Sequence, residues 1–166
     1  MRSASSDLEG VRRAALAAAL FAAVALIAAT SATAAAPTRA EFIHKGDALC
    51  RKVQAQLAPL RRRADAAKSL PASKQWAAVT QIWKTQVAIQ TRFNNQFHAL
   101  GVPTGDRAAR RLVVGLDQGL TLAREIRDAF ASRDTIALRD RLPVYLQFTL
   151  KLNRRVAAYG FTACGH

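Results

Sequence analysis

The chain has 166 residues, with 25 Lys and Arg against 11 Asp and Glu, a formal net charge of +14. One domain with a real core fits that length, and two do not. The single methionine, Met1, leaves with any cleaved leader, which excludes a Met/His-ligated haem.

Arg2, Arg12 and Arg13 precede an uncharged, proline-free run from Ala14 to Ala29, and small residues continue to Ala36. A basic start, a short apolar core and an A-x-A exit are the parts of a secretory signal peptide. Ala32-Thr33-Ala34 fits the cleavage rule, which divides the chain into a signal peptide, 1–34, and a helical domain, 35–166. Cleavage after Ala36 would leave Pro37 first and is disfavoured. No cysteine stands at the exit, so a lipid anchor there is not supported. The competing reading is an uncleaved anchor, because the run extended to Ala36 approaches the roughly 20 residues that span a bilayer.

The leader holds three Arg and two acids, leaving the mature domain at +13. Such a charge attracts polyanions. After export these are envelope glycopolymers and anionic lipid headgroups rather than the genome. The alternative is that the Ala and Arg content reflects coding bias and the charge serves solubility. Two cysteines in an exported chain, Cys50 and Cys164, read as one disulfide. Two free thiols or an intermolecular bond are the alternatives.

Thr38-Arg39-Ala40-Glu41 has the form of a capping box. Phe42, Leu49, Cys50, Val53, Leu57 and Leu60 follow at helical spacing, so Cys50 points inward. Pro59 is expected to kink this first helix or end it early. Leu70 to Ser73 is a turn, with Ser73 capping a second helix from Lys74 to Leu100. Its apolar residues include Trp76, Ile82, Trp83, Val87, Phe93 and Phe97. Gly101 and Pro103 stop it. Asp106 caps a third helix with the stripe Leu112, Val113, Leu116, Leu120, Ala123, Ile126 and Phe130. Gly115 and Gly119 weaken that helix but admit a close neighbour.

Asp134 caps the fourth helix, which runs to Tyr159 with Gly160 as terminator. Ile136, Leu142, Leu146, Thr149, Leu152 or Asn153, Val156 and Tyr159 are expected inward, with a kink at Pro143. Four helices on short connections favour an antiparallel up-down bundle. That topology puts Cys50 at the same end as the close of the fourth helix.

Phe42-Ile43-His44-Lys45-Gly46-Asp47-Ala48-Leu49-Cys50 and Ala158-Tyr159-Gly160-Phe161-Thr162-Ala163-Cys164-Gly165 carry a resemblance. Together with Leu100-Gly101-Val102-Pro103-Thr104-Gly105-Asp106, they resemble small secreted all-α proteins of actinobacteria. That group begins with an FI-x-K-A-D-A-I-C-like stretch and ends on a YG-x-x-x-CG-like one. Gly46 stands where that group has alanine, which reads as a small change. The resemblance implies export, a helical fold and the disulfide, and no catalytic residue.

Few constellations suit chemistry. His44, His98 and His166 could gather at one pole of the bundle, with Asp47 a turn from His44. Three exposed histidines are the blander reading. The mature chain has only Glu41 and Glu125, against the four Glu of a carboxylate-bridged di-iron bundle. There is no C-x-x-C-H, no H-E-x-x-H and no G-x-S-x-G. Asp47 could be a buried acid, but a solvated carboxylate or one paired with Lys45 or Arg51 is the commoner case. The basic groups are Arg61, Arg62 and Arg63, Arg110 and Arg111, and Arg154 and Arg155. They spread over both ends of the bundle, a diffuse field and not a specific nucleic-acid site. Trp76, Trp83, Phe93 and Phe97 could line an apolar groove, though core packing is their usual role.

The sequence thus predicts a monomeric all-α protein, an antiparallel up-down four-helix bundle closed by Cys50–Cys164 and preceded by a signal helix. It predicts no enzymatic activity, no cofactor and no membrane span after leader cleavage. The expected function is binding or structural, with the basic surface contacting anionic envelope polymers or lipid headgroups. The alternatives are a carrier of a small apolar ligand or lipid, and a metal-binding protein at the histidine pole.

Overall fold

The computed structural model describes residues 35–165. The signal-peptide reading of 1–34 and the candidate ligand His166 lie outside them. Four helices form the domain: α1 Arg39–Ala67, α2 Ala72–Ala99, α3 Arg107–Ser132 and α4 Thr135–Tyr159. No strand occurs among the described residues. Each helix packs on the next in chain order, as an up-down bundle requires.

Polar side chains start three of the helices. Thr38 Oγ1 accepts from the Glu41 amide at 3.2 Å, and Glu41 Oε2 accepts from the Thr38 amide at 2.7 Å. Asp106 and Asp134 each accept from the amide three residues on, at 2.9 Å. These contacts satisfy donors that have no partner inside the helix. The second helix differs from expectation. It begins at Ala72, and Ser73 caps nothing. Pro71 precedes the helix and accepts from the Lys74 and Gln75 amides instead. The Gln75 side chain donates to the carbonyls of Lys68 and Leu70 and so ties the turn together.

Neither internal proline ends its helix: α1 runs through Pro59 and α4 through Pro143. Each proline removes one backbone bond. Buried neighbours, Leu60 and Tyr145, hold the adjoining turns in place by packing. The inward face of α4 also differs. Ile136 and Leu146 are 66% and 58% exposed, while Leu138 and Tyr145 are buried. Apolar residues at helical spacing lie on both faces here, so periodicity alone does not set the phase. Tyr145 decides it. Its hydroxyl accepts from Gln86 and Gln90 of α2, and its ring meets Trp83 edge-on at 5.5 Å.

Two clusters make the interior. The first draws on all four helices and the C-terminal tail, with Phe42, Phe97, Leu112, Val156 and Phe161 among its members. The second joins Val87, Leu120, Ile126, Leu138 and Tyr145 and contains no residue of α1. Between α3 and α4, Gly115 allows the close approach expected of it. A Cβ there would lie 2.7 Å from Leu152.

Gly46 is not a minor departure in this fold. A Cβ at 46 would overlap the edge of the Phe161 ring and lie 3.1 Å from Phe97. Phe161 is itself held among Phe42, Phe97 and Tyr159 with centroids 5.6–6.0 Å away, so it has little room to yield. Gly46→Ala is expected to destabilise the oxidised protein by about 1–3 kcal/mol. Urea unfolding with an unchanged m value would show it.

Candidate functional site

The C-terminal tail is fastened along one face of α1. Cys50 and Cys164 form a disulfide with Cα atoms 5.3 Å apart. Arg39 donates to the Tyr159 carbonyl at 2.7 Å, and Gln54 to the Ala163 carbonyl at 2.6 Å. Asp47 sits between them and is buried. Its carboxylate accepts from the amides of Thr162 and Ala163 at 3.1 and 2.8 Å, and from the Thr162 hydroxyl at 2.8 Å. Burial pushes its pKa upward, but donors from Ala163, Thr162 and Cys164 outweigh that and hold it below the ordinary 3.8. Asp47 is therefore a structural anchor, neither solvated nor paired with Lys45 or Arg51. A signal for it exists in the sequence. It lies one turn before an inward cysteine, on the same face.

This fastening joins α4 to α1 at one end, through the tail and through Arg39 and Phe42 against Tyr159. No Cα of α1 lies within 8 Å of a Cα of α4, whereas the other three neighbouring pairs pack closely. The result is a long open seam. Its upper part is a cavity of about 190 Å³ beside the disulfide, walled by Val53 and Leu57 on one side and Leu152 on the other. Phe93, Phe97 and Leu116 form its floor. A second cavity of about 170 Å³ continues it, sharing Val53, Leu57, Phe93 and Leu152. This lower part is more polar, with Gln90, Asn94, Tyr145, Thr149 and Asn153. The Gln90 Oε1 atom is buried and has no hydrogen-bond partner among the described residues. Leu146 and Leu150 are exposed on α4, one helical turn from Thr149 and Asn153. Of the four aromatics of α2, Phe93 and Phe97 line the seam. Trp76 and Trp83 pack in the second core, where Trp76 Nε1 donates to the Phe130 carbonyl.

The basic residues divide. Arg61 lies at the seam. Arg111 and Arg155 meet at a separate pocket of about 410 Å³ between α3 and α4, together with Arg39, which sequence reasoning passes over. Arg62, Arg63, Arg110 and Arg154 are exposed and line neither. In the pocket, the Arg39 guanidinium stands 4.4 Å above the Tyr159 ring. The Tyr159 hydroxyl donates to Asp106 at 2.6 Å. Burial, then that hydrogen bond, push the tyrosine up to about 12, so it stays neutral at physiological pH.

The histidines find other surroundings. His44 is exposed. His98 Nε2 lies 2.8 Å from Asp117, which also accepts from the buried Asn94. Among the described residues no three His, Cys, Asp or Glu side chains gather around one point suited to a metal. No family model, curated protein or solved structure matches the chain.

Proposed function

We propose that this is an exported, non-enzymatic binding protein that holds a small elongated ligand in the seam between α1 and α4. The observation that carries this reading is the seam itself. Three of the four helix junctions are packed, and the fourth is open and lined by Val53, Leu57, Phe93, Leu116 and Leu152. A mainly apolar cleft with a few polar groups is the usual form of a small-molecule site. The orphaned Gln90 Oε1 calls for a donor, because an unpaired buried acceptor is costly. A ligand with an apolar body and a hydroxyl or amide at one end meets both demands.

Two further points support the reading. Both cysteines are consumed in the disulfide, which suits an oxidising compartment. No described helix is long and apolar enough to cross a membrane.

The uncharged fluorophore N-phenyl-1-naphthylamine tests the seam. Saturable binding to the oxidised protein is expected, weakened about tenfold or more by Leu57→Trp, which fills the α1 wall. Leu57 is only half-buried, so the variant should melt within a few degrees of the parent. Absence of saturable binding, or equal affinity in the variant, would refute the proposal.

A further inference from the structure

We propose that Arg39, Arg111 and Arg155 form a binding site for a phosphate group, distinct from the apolar seam and independent of its ligand. All three line one pocket between α3 and α4, and Ala108, Leu112 and Ala158 give it an apolar base. None has a carboxylate within ion-pair distance among the described residues, although four other Lys or Arg side chains there pair with one. Asp106, whose carboxylate feels the charge of Arg39, is already committed. One oxygen accepts from the Ala109 amide and the other from the Tyr159 hydroxyl. Three like charges around one cavity repel each other, and an anion relieves that repulsion.

The geometry favours a group with several acceptor oxygens. A guanidinium is a planar fork of donors that matches phosphate in bidentate fashion. Arg39 is already fixed in position, since one nitrogen donates to the Tyr159 carbonyl and the guanidinium rests over the tyrosine ring. That leaves less rotamer freedom to lose on binding. Arg111 and Arg155 make no hydrogen bond within the described residues and are free to close from the other side. Tyr159 remains neutral and adds no charge to the wall, while the Asp106 carboxylate behind it offsets part of the charge of Arg39 and leaves Arg111 and Arg155 uncompensated. The phosphate could be free or part of a lipid headgroup, and the two sources are separable by experiment.

Titration calorimetry of the oxidised full chain with inorganic phosphate at low ionic strength is the direct test, beside Arg111→Gln, Arg155→Gln and Arg154→Gln. The last makes the same charge change outside the pocket. Matched melting curves would show that all three variants are folded. Vesicles of phosphatidylglycerol, with phosphatidylcholine as the uncharged comparison, form the second arm. Phosphate affinity is expected to fall about tenfold in each pocket variant and to hold in Arg154→Gln. Binding to phosphatidylglycerol but not to free phosphate, with the same variant pattern, would assign the site to a headgroup and support the proposal. Equal losses in Arg154→Gln and the pocket variants would overturn it in favour of diffuse charge, and so would binding of neither probe. Neither outcome bears on the naphthylamine experiment.

Discussion

Opening the Cys50–Cys164 bond is expected to lower the free energy of unfolding by about 4–5 kcal/mol, whether by reduction or by the double change Cys50→Ser/Cys164→Ser. The two cysteines lie 114 positions apart, so the bond closes most of the described chain into a loop. In the chain-entropy account, the unfolded ensemble loses most freedom when such a long loop is closed. Native strain would reduce the benefit, but the 5.3 Å Cα separation lies within the ordinary range for cystines. Urea unfolding with and without reductant measures the effect. The reduced chain should also show a larger m value, since its unfolded state exposes more surface. A loss below about 1 kcal/mol would show that the tail is held by its other contacts and would contradict the chain-entropy account.

Asp47→Ala in the oxidised protein is expected to cost about 1–3 kcal/mol, because it removes the buried carboxylate that accepts from the Thr162 and Ala163 amides and the Thr162 hydroxyl. The pH dependence has a definite sign. The folded carboxylate titrates below its ordinary 3.8, so its stabilisation is complete above the unfolded value and is lost as pH falls through the folded one. The gap between parent and variant should be constant from neutral pH to about 5 and narrow below about 4. A gap that widened in acid would contradict the assignment. Since Asp47 and the cystine hold the same segment, their effects should not add, and a double-mutant cycle would show the coupling.

Much of the fold is legible in the sequence because its signals are local. Thr38, Asp106 and Asp134 stand where caps belong, followed by apolar residues at helical spacing. The cystine is legible because only two cysteines exist and an up-down topology brings their ends together. The phase of α4 is not, since Ile136 and Leu146 are as apolar as the residues that displace them. What selects Tyr145 is a pair of glutamines on another helix. Asp47 is half legible: its place one turn before an inward cysteine turns it toward the interior, but what it binds there is not written locally. Its partners are backbone amides more than a hundred residues away, and amides leave no mark on the sequence. Arg39 hides inside a capping box, and nothing local joins it to Arg111 and Arg155. Nor does any periodicity say which of four helix junctions will be left unfilled.

The absence of α1 from the second core has a mechanical consequence. Beyond Gln54, the one helix that this helix leans on is α2, through the contact that buries Leu60 and Ala67. Pro59, which cannot donate to the preceding turn, removes one backbone bond just there, and the buried Leu60 beside it keeps the helix continuous. The last turns of α1 thus rest on fewer partners than the cystine end, and their amides are expected to exchange with solvent sooner than those around Cys50.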